Sequence, residues 1–242
     1  MEALPGVAMA SEPAGGSKDN PARLRARPRP STEAITPGER PLGLRKERDG
    51  LLYVPAGYRA DKPAPLVVTL HGAGGHAGHG LGILRHLADE SGLILLAPAS
   101  RASSWDIISD DSFGPDVAFI DRALAYTFAR CAVDPARVAV GGFSDGASYA
   151  LSIGVSNGDL FRHILAFSPG YMAPGGLEGR PRVFVSHGTG DQVLPIERCS
   201  RRVVPALRRA GYDVRYREFD GPHTVPAEMS RDALAWFLSG GA

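Results

Sequence analysis

An α/β fold with a mostly parallel sheet is predicted by three features of this chain. Short apolar runs recur from about residue 66 to residue 219, and amphipathic stretches of helical period lie between most of them. Runs such as Leu66-Val-Val-Thr-Leu70 scarcely alternate with polar residues, which fits strands buried on both faces, as central parallel strands are. Polar or glycine-rich clusters follow four of these strands: His71–Gly75, Ser144, Asp191 and His223. In open α/β sheets ligands bind beyond the carboxyl ends of the strands, so the four clusters mark one candidate site.

Taken in order, residues 1–39 are rich in Pro, Gly, Ala, Ser and Arg and show no apolar period, so they are expected to form a disordered tail. Arg23, Arg25, Arg27 and Arg29 alternate there with small residues and prolines; a solvated tail is preferred to a nucleic-acid arm. Met9 offers a second possible start. Residues 40–242 are expected to form one domain, a length that suits a single core. Leu42 and Leu44, then Asp49-Gly50, then Leu51–Val54, read as an antiparallel hairpin at the start of the sheet.

After Leu66–Leu70 the spacing of Leu81, Leu84, Leu87 and Ala88 predicts a helix over 80–91, stopped by Gly92. Leu93–Ala97 is the next strand, and 99–114 a polar loop containing Trp105. Val117, Ile120, Leu124 and Phe128 predict a helix over 115–130. Val138–Val140 is a strand and a helix begins at Ala147. His163–Phe167 and Arg182–Ser186 are strands, 168–181 a loop and 196–210 a helix. Val214–Phe219 is the last strand, and 226–238 the last helix. Each inter-strand segment is used up by one helix or loop, so helices cover both faces and no large cap domain is expected.

Composition excludes several classes. With 27 Lys and Arg against 26 Asp and Glu, no net field draws the chain to nucleic acid or an anionic membrane. No apolar run approaches the roughly 18 residues of a membrane span, and the N-terminus has no apolar segment of a secretory signal; a cytoplasmic location is expected. Cys131 and Cys199 are read as unpaired thiols. His71, His76, His79 and His86 lie close in sequence but in mixed strand, loop and helix contexts, so no metal site is expected. Gly72-Ala73-Gly74 lacks the rest of a dinucleotide fingerprint, and no cofactor is implied.

The chemistry starts at Gly142-Phe143-Ser144-Asp145-Gly146. A serine between small flanking residues, on a tight strand-to-helix turn, is exposed as a nucleophile. A hydroxyl is a weak nucleophile at neutral pH and needs a base, itself oriented by an acid. His223, after Gly221-Pro222, is the preferred base, with His187 its rival. Asp191, after Gly188-Thr-Gly190, is the preferred acid, with Asp220 its rival. The backbone N–H groups of Ala73 and Asp145 are placed to stabilise an oxyanion. Trp105 and Phe143 are candidates for the acyl pocket, each equally well a core residue.

As a set, these motifs resemble the α/β-hydrolase superfamily, and within it the phospholipase/carboxylesterase branch that includes acyl-protein thioesterases. They are His71-Gly-Ala-Gly-Gly75, Gly142-Phe-Ser-Asp-Gly146, His187-Gly-Thr-Gly-Asp191-Gln-Val-Leu-Pro195 and Gly221-Pro-His223. The order Ser144, Asp191, His223 is that of this fold. The resemblance implies Ser144 as nucleophile, Asp191 as acid, His223 as base, and Ala73 and Asp145 as oxyanion donors. Two departures stand out: Asp145-Gly146 replaces the glutamine and glycine common in that branch, and Pro222 replaces a frequent glycine. The expected activity is hydrolysis of small soluble carboxylic esters through an acyl-enzyme. Thioesterase, polyester and feruloyl esterase activities are alternatives on the same fold, and a non-catalytic binding protein is the alternative of another class. The oligomeric state is not legible.

Overall fold

The computed structural model describes residues 20–239. Eight strands form one sheet in the order β1-β2-β4-β3-β5-β6-β7-β8. They are β1 (Gly38–Pro41), β2 (Leu51–Val54), β3 (Ala64–Leu70), β4 (Ile94–Ala97), β5 (Val133–Phe143), β6 (His163–Phe167), β7 (Arg182–Gly188) and β8 (Val214–Phe219). β2 runs antiparallel to both β1 and β4, and all the other pairings are parallel. Every residue of β3 is buried, as its unbroken apolar character requires.

Alternate strand residues feed two cores. Val68, Val140, Ile164 and Val185 point to one face, under α4 (Pro115–Arg130), α5 (Asp145–Val155) and α6 (Ser200–Arg209). Val67, Ala139, Leu165 and Phe184 point to the other, under α1 (Ala77–Gly82) and α7 (Ala227–Ser239). This period of two is set by the pleat. Residues 168–181 cross from β6 to β7 without a helix, so no cap covers the carboxyl ends of the strands there.

Several elements differ from the sequence expectation. The first strand is Gly38–Pro41, not the Leu42/Leu44 stretch. Asp49-Gly50 does not make a two-residue turn. The Asp49 carboxylate instead closes a longer loop by accepting from the N–H groups of Gly43 (2.7 Å) and Leu44 (3.2 Å). The helix expected over 80–91 is broken into α1, a 3-10 turn (Arg85–Leu87) and α2 (Ala88–Ser91). Gly80 lies inside α1, and a Cβ on it would stand 2.6 Å from the Thr69 carbonyl, so this helix packs directly on β3. The loop 99–114 contains a short helix, α3 (Asp106–Ser109).

Residues 1–19 of the expected tail lie outside the described residues. Residues 20–36, by contrast, run as a strap over α4 and the end of α5. Ala22 and Leu24 are fully buried, while Arg23 and Arg27 turn outward, both within 2.6 Å of Asp159. The buried Asn157 side chain accepts from Leu24 N–H (2.8 Å) and donates to the Ala22 carbonyl (2.8 Å). The alternation of arginine with alanine and leucine is thus the two-sided pattern of a packed extended segment.

Candidate active site

Four strand ends build the site. β5 delivers Ser144, which adopts φ 57° and ψ −122° at the entrance to α5. A residue with a side chain rarely occupies this region, and surrounding structure must hold it there. The Ser144 N–H donates to the Phe167 carbonyl (3.0 Å), and the Ser144 carbonyl accepts from Ala147 N–H (2.9 Å). The flanking glycines are needed for space. A Cβ on Gly146 would lie 2.2 Å from the Leu70 carbonyl, and one on Gly142 would lie 2.4 Å from that of Gly146. The turn therefore seats itself against the end of β3.

Beyond β7 lies Asp191, 5% exposed. One carboxylate oxygen accepts from the N–H groups of Val193 (2.9 Å) and Leu194 (2.8 Å). The other is 2.6 Å from His223 Nδ1. Burial alone raises the Asp191 pKa, but the Leu194 N–H and the His223 bond outweigh it and hold the carboxyl below its ordinary value. An ionised acceptor places the proton on His223 Nδ1 and leaves Nε2 with its lone pair. The two loops are laced together: Thr189 N–H donates to the Phe219 carbonyl (2.8 Å) and Gly190 N–H to that of Gly221 (3.0 Å). A Cβ on Gly188 would meet the Gly221 carbonyl at 2.4 Å, so only glycine permits this approach. The His223 ring lies 4.6 Å from that of Phe143, beside the serine turn.

The two rivals named from sequence are placed elsewhere. His187 is fully buried, with Nε2 2.8 Å from the Leu194 carbonyl and 3.2 Å from Asp191. A carbonyl only accepts, so Nε2 carries the proton and Nδ1 accepts from the Ser200 hydroxyl (2.6 Å). Burial lowers its pKa and keeps it neutral beneath the acid. Asp220 is exposed, and the described hydrogen bonds include none between it and His223.

The His71–Gly75 loop lies on the other side of Ser144, where a Cβ on Gly72 would stand 3.3 Å from the serine Cβ. His71 Nδ1–H donates to the Gly72 carbonyl (2.7 Å), and Nε2 accepts from Ser100 N–H (3.0 Å). Burial lowers its pKa to about 4, so it is a neutral brace. Gly74, at φ 67°, donates to the Ser103 carbonyl (2.7 Å). Among the described residues the N–H groups of Ala73 and Asp145 have no hydrogen-bond partner. Of the two readings offered for Trp105, pocket wall or core, the structure has the core one, since its side chain is fully buried. Its Nε1–H donates to the His71 carbonyl (2.9 Å) and its ring stacks on Tyr149 at 5.0 Å. Phe143 is half-buried, against His223.

Sequence reasoning missed Ser148, Ser152 and Ser156. Their hydroxyls accept from Gly170 N–H (2.9 Å), accept from Ala173 N–H (3.0 Å) and donate to the Gly176 carbonyl (2.9 Å), respectively. They tack the loop after β6 onto α5, and the signal was their four-residue spacing from Ser144. The site as a whole can offer a strained serine, an imidazole with a free lone pair and an ionised acid behind it. Among the described residues no group of three or more His, Cys, Asp or Glu is placed to hold a metal ion.

Comparison with known proteins places the chain as a whole. A family model described as Phospholipase/Carboxylesterase matches residues 108–238. "Probable feruloyl esterase C" of Aspergillus oryzae is 28% identical over 165 residues, 62% of this chain and 57% of that protein. "Acetylxylan esterase" of Coprinopsis cinerea is 36% identical over 107 residues, 40% of this chain and 29% of that protein. The match thus spans less than two thirds of these curated relatives. The structure of a phospholipase/carboxylesterase from Dyadobacter fermentans is similar with a TM-score of 0.61 at 22% identity, covering 86% of this chain and 100% of that one. A ferulic acid esterase of Anaeromyces mucronatus, solved in complex with ferulic acid, gives 0.60 at 18% identity, covering 87% and 92%. At such identities the likeness is one of fold, that of the α/β-hydrolases.

Proposed function

The chain belongs to the phospholipase/carboxylesterase family, and on that premise we propose that it is a serine hydrolase of carboxylic esters. The observation that carries the reading is Ser144 at positive φ above β5 with the Asp191–His223 pair bonded at 2.6 Å in the loops that follow β7 and β8. Ser144 Oγ attacks the acyl carbon while His223 Nε2 takes its proton. The ester carbonyl becomes an oxyanion facing the N–H groups of Ala73 and Asp145. The protonated His223 then gives its proton to the departing alcohol, leaving an acyl-enzyme. A water molecule, deprotonated by the same imidazole, releases the acid and restores Ser144. Asp191 stays ionised and stabilises the imidazolium.

Labelling with a fluorophosphonate and mapping the adduct tests this reading. Modification of Ser144, abolished in Ser144→Ala, is expected. Absent labelling, or labelling indifferent to that substitution, removes the mechanism. Short p-nitrophenyl esters are expected to outpace acyl thioesters, and the reverse preference assigns a thioesterase. A feruloyl-type activity is the second reading, favoured by the curated relatives of that name. Comparable turnover of methyl ferulate and p-nitrophenyl acetate supports it. Among the described residues no helix is long and apolar enough to cross a membrane, and the proposed substrate is a small ester.

A further inference from the structure

Beside the nucleophile stands a carboxylate that the reaction does not use. Asp145 is half-buried at the first position of α5. One of its oxygens accepts from the Ser104 hydroxyl at 2.5 Å, and Ser104 is itself buried in the loop that supports the His71–Gly75 turn. Its other oxygen has no partner among the described hydrogen bonds, and the described ion pairs include none to Asp145. The helix N-terminus makes the carboxylate tolerable there without neutralising it for a ligand. Tyr171, on the loop after β6, has its hydroxyl pushed up to about 12 by burial, and then by the negative charges of Asp145 and Asp111. Asp145 therefore stands directly after Ser144, tied to the loop 99–114 through Ser104 and without an ion-pair partner among the described residues.

From this we infer that Asp145 determines substrate charge. Its uncompensated carboxylate excludes esters that carry a carboxylate near the reacting carbonyl and admits uncharged or cationic ones. The inference rests on the esterase reading and deepens it. A unit charge a few ångströms away in a partly desolvated cleft is worth about tenfold or more in binding or rate, so the discrimination is measurable.

The test compares kcat/KM within two matched pairs: dimethyl against monomethyl adipate, charged on the acyl side, and methyl 4-acetoxybenzoate against 4-acetoxybenzoate, charged on the alcohol side. The native protein is expected to prefer the neutral member by about tenfold or more in at least one pair. In Asp145→Asn that ratio is expected to fall about tenfold, whatever the variant does to absolute rates through its backbone N–H. A second readout needs no substitution: raising salt from low ionic strength is expected to shrink the ratio in the native protein, because mobile ions screen the carboxylate. A ratio unchanged by both Asp145→Asn and salt overturns the inference while leaving the esterase intact. No turnover of any ester by the native protein overturns the esterase reading and this inference with it.

Discussion

The two walls that flank Ser144 are braced by different chemistry. On the side of the His71–Gly75 turn, loop 99–116 is held by buried ionisable groups. Asp106 accepts from the N–H groups of Ile107 (2.8 Å), Gly114 (2.9 Å) and Asp116 (3.0 Å). Asp116 accepts from those of Arg101 (2.6 Å) and Asp106 (2.8 Å). Both carboxyls are almost wholly buried. On the other side, the loop after β6 is held by neutral groups, the hydroxyls of Ser148, Ser152 and Ser156, and the strap over the end of α5 by the amide of Asn157. The strap meets charge at the solvent edge, where Asp159 pairs with Arg23 and Arg27. Buried carboxyls are costly to ionise and costly to unpair, whereas hydroxyl and amide braces do not titrate. The walls should therefore fail under different conditions.

The largest expected effect comes from removing one buried acid. Asp106→Ala strands three N–H groups in the interior and should cost on the order of 3–5 kcal/mol in urea unfolding. A loss below about 1 kcal/mol, the scale of a surface change, would show that this wall does not depend on its carboxyls.

Next in size is a pH dependence. Burial first, and then the charge of Asp106, raise the Asp116 pKa from 3.8 to about 6. Between those values the folded protein holds a proton that the unfolded chain has lost. This group's contribution to stability is therefore full below about 4, declines as pH rises, and is gone above about 6, an effect of up to roughly 3 kcal/mol. The unfolding free energy of the native protein minus that of Asp116→Asn should fall across this window. A flat difference would mean that Asp116 does not titrate there.

On the neutral wall Asn157→Ala unpairs Leu24 N–H and the Ala22 carbonyl. It should cost about 2 kcal/mol with no change in the slope between pH 4 and 6. A slope that moves with Asn157 would break the distinction between the walls.

How much of this was legible in the sequence follows the same division. Buried parallel strands announce themselves as apolar runs, and Ser144 and Asp191 could be named because each follows such a run, whereas His223 follows the alternating edge strand β8 and was marked by its Gly221-Pro222 loop. The 2.6 Å bond between Asp191 and His223 joins residues separated by a whole helix and strand, and their place after adjacent strands pointed to it. The walls were harder to read because their partners are remote. Arg23, Leu24 and Arg27 resemble a solvated tail until Asn157 and Asp159, more than 130 residues away, supply the amide and the carboxylate. Trp105 sits among polar residues and reads equally as pocket wall or core, and only the His71 carbonyl and the Tyr149 ring draw it inside. The serines of α5 show their spacing openly, but a serine every fourth residue reads as a polar helix face unless a loop is known to lie on it.

The smallest expected effect separates the solvent edge of the neutral wall from everything buried. Burial alone raises the Asp159 pKa, but the hydrogen bonds and charges of Arg23 and Arg27 outweigh it and bring it from 3.8 to about 2. Here the folded state releases its proton more readily than the unfolded chain. The contribution is present above about 4 and lost as pH falls toward 2, the opposite sense to Asp116. With about a third of each side chain exposed, solvent screening reduces the contribution to roughly 1 kcal/mol or less. Asp159→Asn should therefore lower the unfolding free energy slightly at pH 7 and low salt, and not at all near pH 2. The difference should shrink as salt is added, because an exposed pair is screened within a Debye length. A salt-independent loss of several kcal/mol would instead mean that the strap is held through Asp159 as firmly as through Asn157, and the neutral wall would then rest on charge after all.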